Sequence, residues 1–131
     1  MKAEFVTPST IVEICRDKPG MFKLASKMIF YSHLLMRDII VPKGYETDFA
    51  SIPQFLKDRI DVNGKHREAA IVHDYLCTNG ADIGVTQKQA DLVFNEAMTV
   101  LEVNRIIRWL MFNAVRGFQR FQCWREGKNY G

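Results

Sequence analysis

The spacing of apolar residues changes period at Tyr45-Glu46-Thr47-Asp48-Phe49-Ala50-Ser51-Ile52-Pro53, and this switch limits the folds open to the chain. Before it, apolar residues come in short strand-like runs. After it, they recur at helical spacing, three and four residues apart. A run of strands followed by a run of helices predicts an α+β domain rather than alternating βαβ units. With 131 residues, the chain is sized for a single domain that buries a core without disulfide or metal staples.

The strand half spans residues 1–47. Ile11-Val12-Glu13-Ile14-Cys15 is a β-branched run, and Lys18-Pro19-Gly20 turns the chain after it. Residues 22–31 alternate imperfectly, with Phe22, Leu24, Met28 and Phe30 on one face. Residues 35–41 form a third run, ended by Pro42-Lys43-Gly44. Short connections predict an antiparallel meander of about three strands.

About four helices are predicted over residues 51–122. Ser51 suits an N-cap and Pro53 a first turn, giving a short helix over 53–59. A second covers 66–78, stopped by Asn79-Gly80. It is apolar on nearly every face, which predicts burial, and His66, Ala69, Ala70, His73 and Cys77 share one side of it. Thr86-Gln87-Lys88-Gln89 is a capping-box pattern that opens a third helix, with a core stripe of Ala90, Val93, Phe94, Ala97, Met98 and Leu101. The fourth is read from Glu102 to Gln122, with Val103, Ile107, Leu110, Ala114 and Phe118 inward. Residues 123–131 read as a tail, frayed from Gly127 onward.

The bulk chemistry excludes several classes. Three cysteines without a CxxC pair argue against a disulfide framework and a zinc finger. The N-terminus lacks the apolar core and cleavage site of a secretion signal. No run reaches the roughly 18 apolar residues of a membrane span. A net charge of +3 is weak support for a nucleic-acid partner. Arg105, Arg108, Arg116 and Arg120, with Trp109, Phe112 and Trp124, mix charge and stacking surface. A solvated face pairing with carboxylates is the preferred reading of them, and nucleic-acid binding is the weakest of the functional hypotheses.

His73-Asp74 on a buried helix draws the chemistry. A buried carboxylate needs a partner or a metal, and histidine is a ligand or a general base. With a histidine before and an aspartate after, these residues match the ligand types of HD-type metal phosphohydrolases. Asp48, His73 and Asp74 are the catalytic candidates. His73, Asp74 and Asp91 are the candidate ligands of a divalent metal such as zinc or manganese, with His66 or Asp48 as a further ligand. Arg116 and Ser51 are candidates for binding an anionic substrate, and Asn95 lies one turn past Asp91. The competing reading is a non-enzymatic protein in which the same residues form a buried polar network, with Asp74 paired to an arginine such as Arg116.

Several blocks resemble a known family. They are Val41-Pro42-Lys43-Gly44-Tyr45, Thr47-Asp48-Phe49-Ala50-Ser51-Ile52-Pro53, Ala69-Ala70-Ile71-Val72-His73-Asp74-Tyr75-Leu76, Ala90-Asp91 with Phe94, and Ala114-Val115-Arg116 with Phe118. Together they resemble the phage and prophage family called domain of unknown function 1353, over residues 35–120. Gln119 stands where that family tends to carry glycine. The resemblance implies a bacteriophage protein, in the host cytoplasm or the particle, with other phage proteins as partners. It implies no activity.

Overall fold

The computed structural model describes residues 2–7, 12–48 and 66–131. Six strands, β1 (Glu4–Phe5), β2 (Val12–Ile14), β3 (Phe22–Leu24), β4 (Met28–Ser32), β5 (Arg37–Val41) and β6 (Glu46–Thr47), precede α1 (Arg67–Asn79), a 3-10 turn (Gly80–Ile83), α2 (Gln87–Val100) and α3 (Arg105–Glu126). The α+β class is as expected. The counts differ: three helices lie among the described residues, and the helix expected over 53–59, with Ser51, lies outside them.

The meander is replaced by two antiparallel sheets, ordered β1-β4-β5 and β2-β3-β6. The reason lies in Ala25-Ser26-Lys27, where the alternation falters and the chain bends. The run predicted as one strand over 22–31 therefore divides between the sheets. Its pairing partner turns the same corner at Pro42-Lys43-Gly44, where Gly44 adopts φ 84°. Phe22 pairs with Thr47 and Met28 with Val41, so one register passes through the corner on both arms. The two sheets thus share a single bent hairpin.

Alternation in β4 puts Met28, Phe30 and Ser32 inside, and β5 adds Ile39 and Val41. They pack with Ala69, Ala70, Ile71, Val72 and Leu76 of α1 and Ala90, Val93, Phe94, Ala97 and Met98 of α2. Small residues let α1 sit deep between its neighbours. Ser32 and the Leu34 amide both donate to the Glu96 carboxylate, at 2.7 and 2.9 Å, which fastens the β4 end to α2.

The predicted capping box is present: Thr86 Oγ1 accepts from the Gln89 amide at 3.1 Å, and Gln89 Oε1 accepts from the Thr86 amide at 2.9 Å. The last helix departs from expectation. Glu102 has φ 59°, outside helical space, and Asn104 is the cap, accepting from the Ile106 and Ile107 amides. Its buried residues are Met111, Val115, Gln119 and Cys123, one position round from the predicted stripe, while Ile107 and Leu110 are exposed. The misreading has a physical source: both faces of α3 carry large apolar residues, so periodicity did not select one. The helix also runs on to Glu126. The tail then folds back, and the Lys88 amide donates to the Tyr130 carbonyl at 2.8 Å.

Candidate functional site

Helix α1 sends its two adjacent polar residues to different places. Successive helical residues diverge by about 100°, so His73 points toward α2 and Asp74 toward the strands. Asp74 Oδ2 accepts from Tyr45 Oη at 2.7 Å and from Thr47 Oγ1 at 2.6 Å. Burial, and then the Asp74 carboxylate, push the Tyr45 hydroxyl well above the ordinary tyrosine range, so it stays a donor. The Tyr45 ring stands edge-on to Tyr75 at 5.4 Å. The turn and the buried helix do meet, through Tyr45 and Thr47. Asp48 is exposed one residue further along.

His73 joins a second cluster. Its Nε2 lies 2.7 Å from Asp91 Oδ1 of α2, and both side chains are fully buried. Cys77, one turn after His73 on the same side of α1, brings its Sγ to 3.5 Å from that Nε2. The three ligand atoms lie within 4.8 Å of one another. Gln87 Nε2 donates to Cys77 Sγ at 3.0 Å and to Asp91 Oδ1 at 3.1 Å. Tyr130 Oη donates to Asp91 Oδ2 at 2.5 Å.

The electrostatics follow from this packing. Burial works against the His73 imidazolium. The electrostatic interactions and hydrogen bonds with Cys77 and Asp91 outweigh it, and the imidazolium pKa is raised to about 10. The Tyr130 hydroxyl is pushed above its usual range by burial and by its bond to Asp91, although the arginines Arg116 and Arg120 oppose this. Half-buried Cys77 opens onto a cleft of about 750 Å³. Gln87, Gln119, Gln122 and Asn129 give the cleft a wall of carboxamides, and Phe118 and Val85 give it an apolar side.

Of the sequence candidates, His73 and Asp91 come together, and Asp74 is held apart from them. Asp48 and His66 lie outside the ligand cluster found among the described residues, and His66 occupies the N-cap of α1. Arg116 is exposed on α3 and does not line the cleft, and Asp74 pairs with hydroxyls rather than with it. Asn95 lines a different groove. Ser51 lies outside the described residues. Cys77, Gln87 and Tyr130 were not anticipated. The four-residue spacing of His73 and Cys77 is a signal for the first, and Gln87 stands one turn before Asp91. Tyr130 leaves no local trace, because only the returning tail brings it near.

A family model described as "Protein of unknown function (DUF1353)" matches residues 22–115. The chain belongs to that family. No curated protein and no solved structure matches it. The span matched to DUF1353 includes His73, Cys77 and Asp91 as well as Tyr45, Thr47 and Asp74, and Tyr130 lies beyond it. The arrangement offers a mixed nitrogen, sulfur and oxygen donor set, which suits zinc better than manganese because thiolate is a soft ligand.

Proposed function

We propose that the protein is a small metal-dependent hydrolase whose divalent ion is held by His73, Cys77 and Asp91. One observation carries this reading: three ligand atoms from two helices converge within 4.8 Å of one another, with Cys77 facing the cleft. Three protein ligands leave a position open, as in catalytic rather than structural zinc sites. Such an ion acidifies water and polarises a carbonyl or phosphoryl group.

The chain's own residues supply orientation. Gln87 reaches both Cys77 and Asp91 and fixes their spacing. Tyr130 engages Asp91 Oδ2, which leaves Oδ1 toward His73. Partners behind the ligands commonly change metal affinity by about 10–100-fold. Service in a bacteriophage, in the host cytoplasm or on the particle and with other phage proteins, is part of the same proposal and rests on the family resemblance.

Metal analysis of the purified protein, with melting in the presence and absence of a chelator, tests the reading. One zinc per chain is expected, with a lower melting temperature in chelator. His73→Ala should abolish binding and Cys77→Ser should weaken it. Zinc-loaded protein should hydrolyse ester, amide or phosphate model substrates that the chelated protein leaves intact. Identical melting in both conditions, with no metal bound, would sink it.

A second reading is favoured by the completeness of the hydrogen bonding. Asp91 accepts from His73, Gln87 and Tyr130, and Asp74 from Tyr45 and Thr47. In a non-enzymatic phage protein such networks would fix the packing of α1 against its neighbours.

A further inference from the structure

We infer that the outer face of α3 docks on an anionic lipid surface. Ile106, Trp109, Leu110, Phe121 and Trp124 are 52–77 % exposed, and they share the side of the helix opposite buried Met111 and Val115. Elsewhere among the described residues, large exposed apolar side chains are scattered over β-strands and turns. On α3 they form an interrupted stripe along a helix of 22 residues, roughly 33 Å long at 1.5 Å per residue. Ile106, Trp109 and Leu110 lie near its start and Phe121 and Trp124 near its end, with Asn113 and Gly117 between the two clusters. Two clusters of exposed aromatic and aliphatic side chains on one side of a single helix mark an interaction surface.

Charge selects the occupant. The helix carries Arg105, Arg108, Arg116, Arg120 and Arg125 against one acid, Glu126, and Glu126 is engaged by Lys128 at 3.2 Å. Its net +4 exceeds the +3 of the whole chain, so the positive charge of the molecule is concentrated here. Arg105, Arg116 and Arg120 border one flank of the stripe by helical geometry. An antiparallel second copy would set that flank against its own symmetry mate, arginine facing arginine, which argues against self-association.

An anionic bilayer meets both features. Trp109 and Trp124 lie near opposite ends of the helix, where indole rings favour the headgroup region. Arginines beside them keep their heads in the phosphate layer while their stems cover apolar surface. The helix lies on the surface in this arrangement, in keeping with the finding that no helix among the described residues is long and apolar enough to cross a membrane.

Sedimentation with vesicles of phosphatidylcholine alone, or mixed with phosphatidylglycerol, tests the inference on the full chain. Pelleting with the mixed vesicles only is expected, with a blue shift of tryptophan fluorescence and loss of binding at high salt. Arg116→Gln with Arg120→Gln should weaken binding by about tenfold or more. Trp109→Gln with Trp124→Gln should abolish the pelleting, while the melting temperature stays that of the wild type because both rings are exposed. Equal pelleting with both vesicle types, or none with either, would overturn the inference. So would a stable dimer in light scattering that Trp124→Gln dissociates.

Discussion

His73 is held as an imidazolium by its interactions with Cys77 and Asp91, and this couples stability to pH. Burial alone would favour the neutral ring, but Cys77 and Asp91 reverse the balance, and the folded-state pKa of about 10 lies above the ordinary histidine value of 6.5. A group whose pKa rises on folding adds stability that is complete below its unfolded pKa and is lost as pH climbs through the folded one. In chelator, the urea midpoint should therefore be highest near neutral pH and below, and should decline between about pH 6.5 and 10. His73→Gln should flatten that decline, and an unchanged pH profile would show that the imidazolium is not coupled to folding. This residue was legible in the sequence because histidine on an apolar helix is conspicuous. Its partner was less so. Asp91 reads in sequence as a first-turn acid favoured by the helix dipole, but it lies beyond the first turn of α2, and Asp74, adjacent to His73, is a more conspicuous partner in sequence than Cys77 one turn on.

The elements built on local chemistry were the ones sequence reading located well. Thr86 and Gln89 form a reciprocal cap that depends on four consecutive residues, so its pattern is self-contained. Thr86→Ala should cost about 1 kcal/mol in urea unfolding. It should also loosen the first turn of α2, which carries Gln87 toward Asp91. Gly84, at φ 76°, ends the 3-10 turn that feeds this cap. Elements set by distant partners were misread. Nothing within residues 22–31 says that Phe22 will pair with Thr47 in one sheet and Met28 with Val41 in another. On α3, burial is decided by which face meets the rest of the domain. The exposed face is as apolar as the buried one, so the wrong stripe, Ile107 and Leu110, satisfied the pattern equally well.

The whole molecule is tied together by a few polar links between its parts. Asp74 joins α1 to the strands, Glu96 joins α2 to the β4 end, and Tyr130 joins the tail to Asp91. Tyr130→Phe removes a hydrogen bond to a carboxylate in a half-buried setting and should cost about 1 kcal/mol in urea unfolding. It should also lower zinc affinity about tenfold in calorimetric titration, as loss of a group behind a ligand does. A variant that binds zinc as tightly as the wild type would exclude the tyrosine from the site. These links also differ in chain separation. His73 meets Asp91 across 18 residues, whereas Tyr130 reaches Asp91 across 39. Short loops close at smaller entropic cost and form sooner. The α1–α2 pair is therefore expected to bring His73, Cys77 and Asp91 together early in folding, as a local helical hairpin, with Tyr130 arriving afterwards. With that order of closure, the ion proposed for His73, Cys77 and Asp91 would have its easiest entry during refolding, before the tail closes.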